Sequence, residues 1–274
     1  MKSENPTETA IPPPAAELSS RDRLLIWACL AVVIALAWAY LIYLDRRMAS
    51  EMEHHTMMTA MGMTMEMPPW TAADVLFTFA MWVVMMIGMM VGTAAPVLLL
   101  FAGAHAGRGG RRVPWIVLVF GLGYVIVWAG FSAAAALTQW ALHSAAMLSP
   151  MMAASSSRVG GAILIAAGVY QLTPFKRACL THCRSPLGFL MTHWRGGTRG
   201  ALMMGLRHGA YCLGCCWALM GVLFAVGVMN LLWVAALSVF VLVEKSGPAG
   251  IVIARVAGAV MIAWGGLLVR SVRL

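Results

Sequence analysis

The chain has 274 residues, of which 61% are hydrophobic and 11% charged. A soluble domain carries about 25% charged residues, so this composition excludes an ordinary soluble fold and reads as a polytopic membrane protein. The net charge of +9 does not argue for nucleic-acid binding, because the basic residues cap apolar spans, where membrane topology places them. An attraction to anionic lipid is the smaller claim that remains.

Residues 1–22 are rich in Pro, Glu, Ser and Thr, with Pro12, Pro13 and Pro14 in a row. They predict a disordered cytoplasmic tail. The first apolar run, Leu24–Leu44, is longer than a signal-peptide core and has no close cleavage site. It predicts a retained transmembrane helix over 23–44. Residues 45–72 form an extracytoplasmic Met/His-rich loop, and 73–274 a transmembrane metal-binding domain.

The fold class is all-α, a polytopic transmembrane helical bundle of about seven spans, over 24–44, 73–101, 115–137, 159–173, 201–226, 231–243 and 249–268. The fourth and sixth are short for a bilayer that needs about 20 residues. Basic loops at 102–114 and 174–200 assign themselves and the N-terminus to the cytoplasm. The reading is a bacterial cytoplasmic (inner) membrane protein, with the lipid bilayer as its first partner.

Between the first two spans, eight methionines crowd into residues 48–67. A solvated linker gains nothing from exposed methionine, whereas thioethers suit Cu(I) and imidazole suits copper and zinc. Met61, Met63, Met65 and Met67 alternate, so an extended chain puts their sulfurs on one side. His54 and His55 lie just upstream. The second span carries Met85 and Met89 on an i, i+4 stripe, beside a Gly88/Gly92 pair that admits a close neighbour. Pro96 is expected to break or kink this helix.

In the fifth span Met204, His208, Cys212, Cys216 and Met220 recur at every fourth residue. They form one face of a helix, with Cys215 at its border and Gly205/Gly209 as a second close-approach pair. Cysteine is often only a small buried hydrophobe, but three within five residues beside a histidine point to a soft metal. Cys179 and Cys183 share a face if their stretch is helical, and Lys176, Arg177 and Arg184 are expected to favour their thiolates. Cys29 stands alone and reads as packing. Glu244 and Lys245 interrupt apolar sequence; they read either as a plain ion pair at a membrane boundary or, if buried, as a functional polar site. No phosphate loop, hydrolase elbow or zinc-protease motif is present.

The elements MMVGTAAP, CLTHCRSPLGFL, MMGLRHGAYCLGCCWALM and GVMNLLWVAALSVFVLVEK resemble a bacterial family of predicted metal-binding integral membrane proteins. The resemblance covers roughly residues 70–268, and the run His208–Trp217 is its most specific part. Cys179, Cys183 and Pro186 fit its upstream element, and Glu244 and Lys245 its E-K pair. It implies membrane location and metal binding, with no established reaction. The Met/His loop lies outside it.

Three functions fit the residues. The first is copper(I) handling by capture, transfer or transport, with a metallochaperone or cuproenzyme as partner; another soft transition metal is possible. The second is a thiol-disulfide oxidoreductase built on Cys212 and Cys215. The third is a non-catalytic assembly subunit. Binding rather than catalysis is the expectation, because the oxidoreductase leaves the Met-rich loop without a role.

Overall fold

A computed structural model describes residues 18–61, 70–107, 113–145 and 156–270, and among these every regular element is a helix. In chain order they are α1 (Ser20–Ala60), α2 (Ala72–Ala106), α3 (Val113–Ser144), α4 (Ser157–Leu172), α5 (Pro174–Arg184), α6 (Pro186–His193), α7 (Gly197–Gly221), α8 (Leu223–Val226), α9 (Leu231–Ser246) and α10 (Gly250–Arg270).

Among the described residues, five helical stretches are long and apolar enough to cross a membrane: Ser20–Glu51, Ala72–Ala106, Val113–Ser144, Gly197–Val226 and Gly250–Arg270. The expected fourth and sixth spans are helices of 16 residues each, α4 and α9. At 1.5 Å per residue each is about 24 Å long, short of the ~30 Å hydrocarbon core. The number of full-length candidates is therefore five rather than seven. Leu24, Phe77, Leu118, Leu232 and Trp264 are all exposed. Such an outer surface is stable where the surrounding solvent is itself apolar.

Local sequence explains the helix ends. Thr71 and Asp74 form a reciprocal capping box at the start of α2. Thr173 caps α5, whose first residue is Pro174. Asn230 caps α9. Gly227, with φ 103°, supplies the turn that separates α8 from α9. α2 runs through Pro96 without ending there, although proline removes the bond to the Gly92 carbonyl. α1 continues through most of the segment read as a loop, as far as Ala60.

Glycine seams decide which helices meet. Gly88 and Gly92 of α2 take Ala37, Trp38 and Ile34 of α1. Gly205 of α7 lies against the Phe120 carbonyl and Gly123 of α3, and Gly209 against Val127 and Tyr124. Gly161 and Gly168 of α4 face Gly265 and Gly258 of α10. Each glycine pair therefore serves a different neighbour, α1 for α2 and α3 for α7, and the two pairs do not face each other. α7 is held by α3 on one side and α5 on another, and α9 leans on both α2 and α10.

Candidate metal centre

The α7 stripe faces inward along its length. Met204, His208, Cys212, Cys216 and Met220 are all buried, as is Cys215. Burial follows from the four-residue spacing, which keeps one stripe turned towards the packed core.

Sulfurs of two helices meet here. Cys216 Sγ lies 3.9 Å from Met90 Sδ of α2 and donates to the Cys212 carbonyl at 2.9 Å; the Cys212 and Cys216 sulfurs lie 2.8 and 3.9 Å from Lys245 Nζ of α9. Cys215 Sγ lies 3.8 Å from Cys183 Sγ of α5, which brings a third helix to the thiols of α7. Cys179 packs its sulfur against Gly214, where a side chain would collide with it.

The sequence marked Glu244 and Lys245 as a polar site if buried, but did not reveal their partners. Glu244 and Lys245 are buried, with 0% and 8% exposure, but they do not pair with each other. Glu244 Oε1 is 2.6 Å from Lys176 Nζ, and Lys176 also donates to Gln171. Lys245 Nζ instead donates to Cys212 Sγ at 2.8 Å, with Thr93 Oγ1 at 3.4 Å and Cys216 Sγ at 3.9 Å. Tyr124 Oη of α3 lies 2.9 Å from Cys212 Sγ and donates to the Met90 carbonyl at 3.0 Å. Arg184 donates to the carbonyls of Glu244 and Pro248, at 2.5 and 3.3 Å.

These partners correct the expected activation of the α5 thiols. Lys176 is committed to Glu244 and Arg184 to the end of α9. Burial pushes the Cys179 thiol up rather than down.

Of the other expected donors, His208, Met85 and Met89 are buried, whereas His54 and Met61 are exposed. His208 is buried among Phe120, Tyr124 and Phe189, and its Nδ1 has no hydrogen-bond partner. Met85 and Met89 are buried on α2, but the α2 sulfur beside the cysteines belongs to Met90. His54 and His55 stand on α1, with His54 exposed; Met61 is exposed at its end. Met63, Met65 and Met67 lie outside the described residues. Ile34 of α1 touches Gly92, and the C-terminal end of α1 lies about 40 Å further along the helix axis. The described part of the Met/His-rich segment, His54 to Met61, therefore stands at the far end of α1. Cys29 is exposed rather than packed.

Among the described residues no three His, Cys, Asp or Glu side chains converge on one point. The donor set at Cys212, Cys216 and Met90 is two thiols and one thioether. That set is too poor for tetrahedral zinc, which takes four ligands. It suits a soft ion of low coordination number such as Cu(I). A family model described as a copper chaperone, PpoB2, matches residues 79–268. The chain belongs to this copper chaperone family. No curated protein and no solved structure matches the chain. The family region contains Met90, Tyr124, Lys176, both α5 cysteines, the whole α7 stripe and Lys245. The Met/His-rich segment precedes it. A copper chaperone family agrees with the metal-binding character that the sequence motifs implied.

Proposed function

We propose that this protein is an integral membrane Cu(I)-handling protein of a bacterial inner membrane. It holds its cargo in the core and passes it between sulfur donors. Cys212 and Cys216 serve as thiolates and Met90 as a thioether. Cys215 with Cys183 and Cys179 forms an adjacent exchange station, and His208 supplies an imidazole one turn along α7. The outer segment with His54, His55, Met61, Met63, Met65 and Met67 collects the ion. Met85 and Met89 line the way through α2.

One observation carries the reading: within a copper chaperone domain, the buried Cys216 thiol meets the Met90 thioether of a second helix and shares the Lys245 ammonium with the Cys212 thiol. Cu(I) prefers such soft donors, and its positive charge offsets thiolates that lipid or protein interior would otherwise disfavour. The five apolar helices and the exposed apolar surface support membrane integration.

Elemental analysis tests the proposal. Protein purified from copper-supplemented cells should carry copper, and a Cys212/Cys215/Cys216 triple serine variant should lose it. Copper retained in full by the triple variant would overturn the assignment. Quinone reduction by the wild type without bound copper would favour the oxidoreductase.

A further inference from the structure

We infer that Lys245 sets the charge of the ion this site accepts, making the Cys212–Cys216 pair a site for a monovalent soft cation and disfavouring divalent ones. The inference rests on the reading of Cys212 and Cys216 as the cargo's donors.

The argument is a count of fixed charges. Lys245 is 8% exposed, and its ammonium faces Cys212, Cys216 and Thr93. Tyr124 of α3 and Met90 of α2 close the group; neither carries a formal charge. The nearby carboxylate, Glu244, is paired with Lys176 at 2.6 Å, and those two charges cancel. Arg184 is only half-buried and directs its guanidinium to backbone carbonyls at the end of α9. Cys215 donates its thiol proton to the Cys212 carbonyl at 3.0 Å and so enters the count as neutral, which leaves Lys245 as the uncompensated charge beside Cys212 and Cys216.

A soft cation that takes both sulfurs meets two thiolate charges and one ammonium. With a monovalent ion the assembly is neutral. With Zn(II) or Cd(II) it carries a full positive charge in a region of low dielectric, where an uncompensated ion is penalised heavily. Thiolates bind zinc-type ions well in other settings, so the donors alone do not discriminate by charge. The ammonium supplies that discrimination. It remains as the counter-ion of a two-thiolate Cu(I) assembly, and the carbonyls in the last turn of α9 help to hold it there. Replacing Lys245 by a neutral residue inverts the count: a divalent ion then closes the site neutrally, and a monovalent one leaves a negative charge.

The test uses the full chain in detergent, titrated separately with Cu(I) against a competing chelator and with Cd(II) by its thiolate charge-transfer absorption. The wild type should bind Cu(I) and take up Cd(II) poorly. Lys245→Met should lower Cu(I) affinity at least tenfold and raise Cd(II) affinity at least tenfold, while Lys245→Arg keeps the wild-type preference. An unchanged preference in Lys245→Met, with Cu(I) bound normally by the wild type, overturns the role of Lys245 alone. Absence of Cu(I) binding by the wild type overturns the donor assignment and this inference with it. Should Lys245→Met fail to fold, the wild type decides: stoichiometric Cd(II) binding that is lost in Cys212→Ser/Cys216→Ser overturns the inference, and its absence beside Cu(I) binding supports it.

Discussion

Met90 of α2 places its sulfur 3.9 Å from the thiol of Cys216 on α7, and this contact joins two helices whose glycine seams face other neighbours. Met90→Leu conserves volume, so its stability cost should stay below about 1.5 kcal/mol. Its effect on the cargo should be larger than that of a packing change. Loss of one thioether should weaken Cu(I) binding about tenfold, equivalent to about 1.4 kcal/mol. Competition with a Cu(I) indicator measures this, with Met86→Leu as the packing control. Equal affinities for the two variants would remove Met90 from the donor set.

The Lys176–Glu244 pair is buried on both sides. Removing one partner of such a pair strands the other charge and costs about 3–5 kcal/mol. Lys176→Met and Glu244→Gln should each lower the thermal transition markedly, whereas the double variant should recover much of the loss. Thermal unfolding in detergent across the double-mutant cycle reads the coupling. Additive losses would mean that the two charges do not depend on each other.

Gly205 leaves no room for a Cβ, because the Phe120 carbonyl occupies that space. Gly205→Ala should force α3 and α7 apart at a cost of about 1–3 kcal/mol or more. Gly130 of α3 has nothing within 4 Å of a Cβ position, so Gly130→Ala should be neutral or gain up to about 1 kcal/mol from helix propensity. Thermal stability of the two variants should therefore move apart. A Gly205→Ala protein as stable as Gly130→Ala would contradict the close seam.

The Met-rich segment should capture Cu(I) in isolation. A peptide of residues 48–67 should compete with a Cu(I) indicator, and leucine at positions 61, 63, 65 and 67 should abolish the competition. An unchanged titration would leave the segment without a metal role. Its side of the membrane is checked on intact cells. A single cysteine at Thr59 in a cysteine-free background should react with an impermeant thiol reagent, and one at Ser185 should not. The opposite pattern would invert the topology.

The helical class and the inward stripe of α7 were legible because both are periodic: apolar length gives the spans, and four-residue spacing gives the face. Helix pairing was harder to read. A glycine pair announces that some backbone comes close, but it does not name the partner. Gly205 and Gly209 chose α3 rather than α2. A better signal was present in the matched two-turn spacing of Gly161 with Gly168 and of Gly258 with Gly265, which lace α4 to α10. The polar half of the site was hidden for a different reason. Glu244 and Lys245 are adjacent in sequence and look like each other's partners. On a helix, consecutive residues point about 100° apart, so Glu244 meets α5 and Lys245 meets α7. Tyr124 carried no pattern at all; only tertiary packing brings it to Cys212.

Cys183 and Arg184 are consecutive on α5, yet they hold different parts of the molecule. Cys183 touches Cys215 in the middle of α7, while Arg184 grips the carbonyls of Glu244 and Pro248 at the turn between α9 and α10. The short helix therefore works as a two-toothed latch. Any rotation of α5 that withdraws the Cys183 sulfur also pulls the guanidinium away from that turn. The last carbonyls of α9 would then lose their donor, a penalty that a buried acceptor imposes until another donor arrives. If Cys183 and Cys215 hold the ion as proposed, its release from their side would be tied mechanically to the end of the helix that carries Lys245.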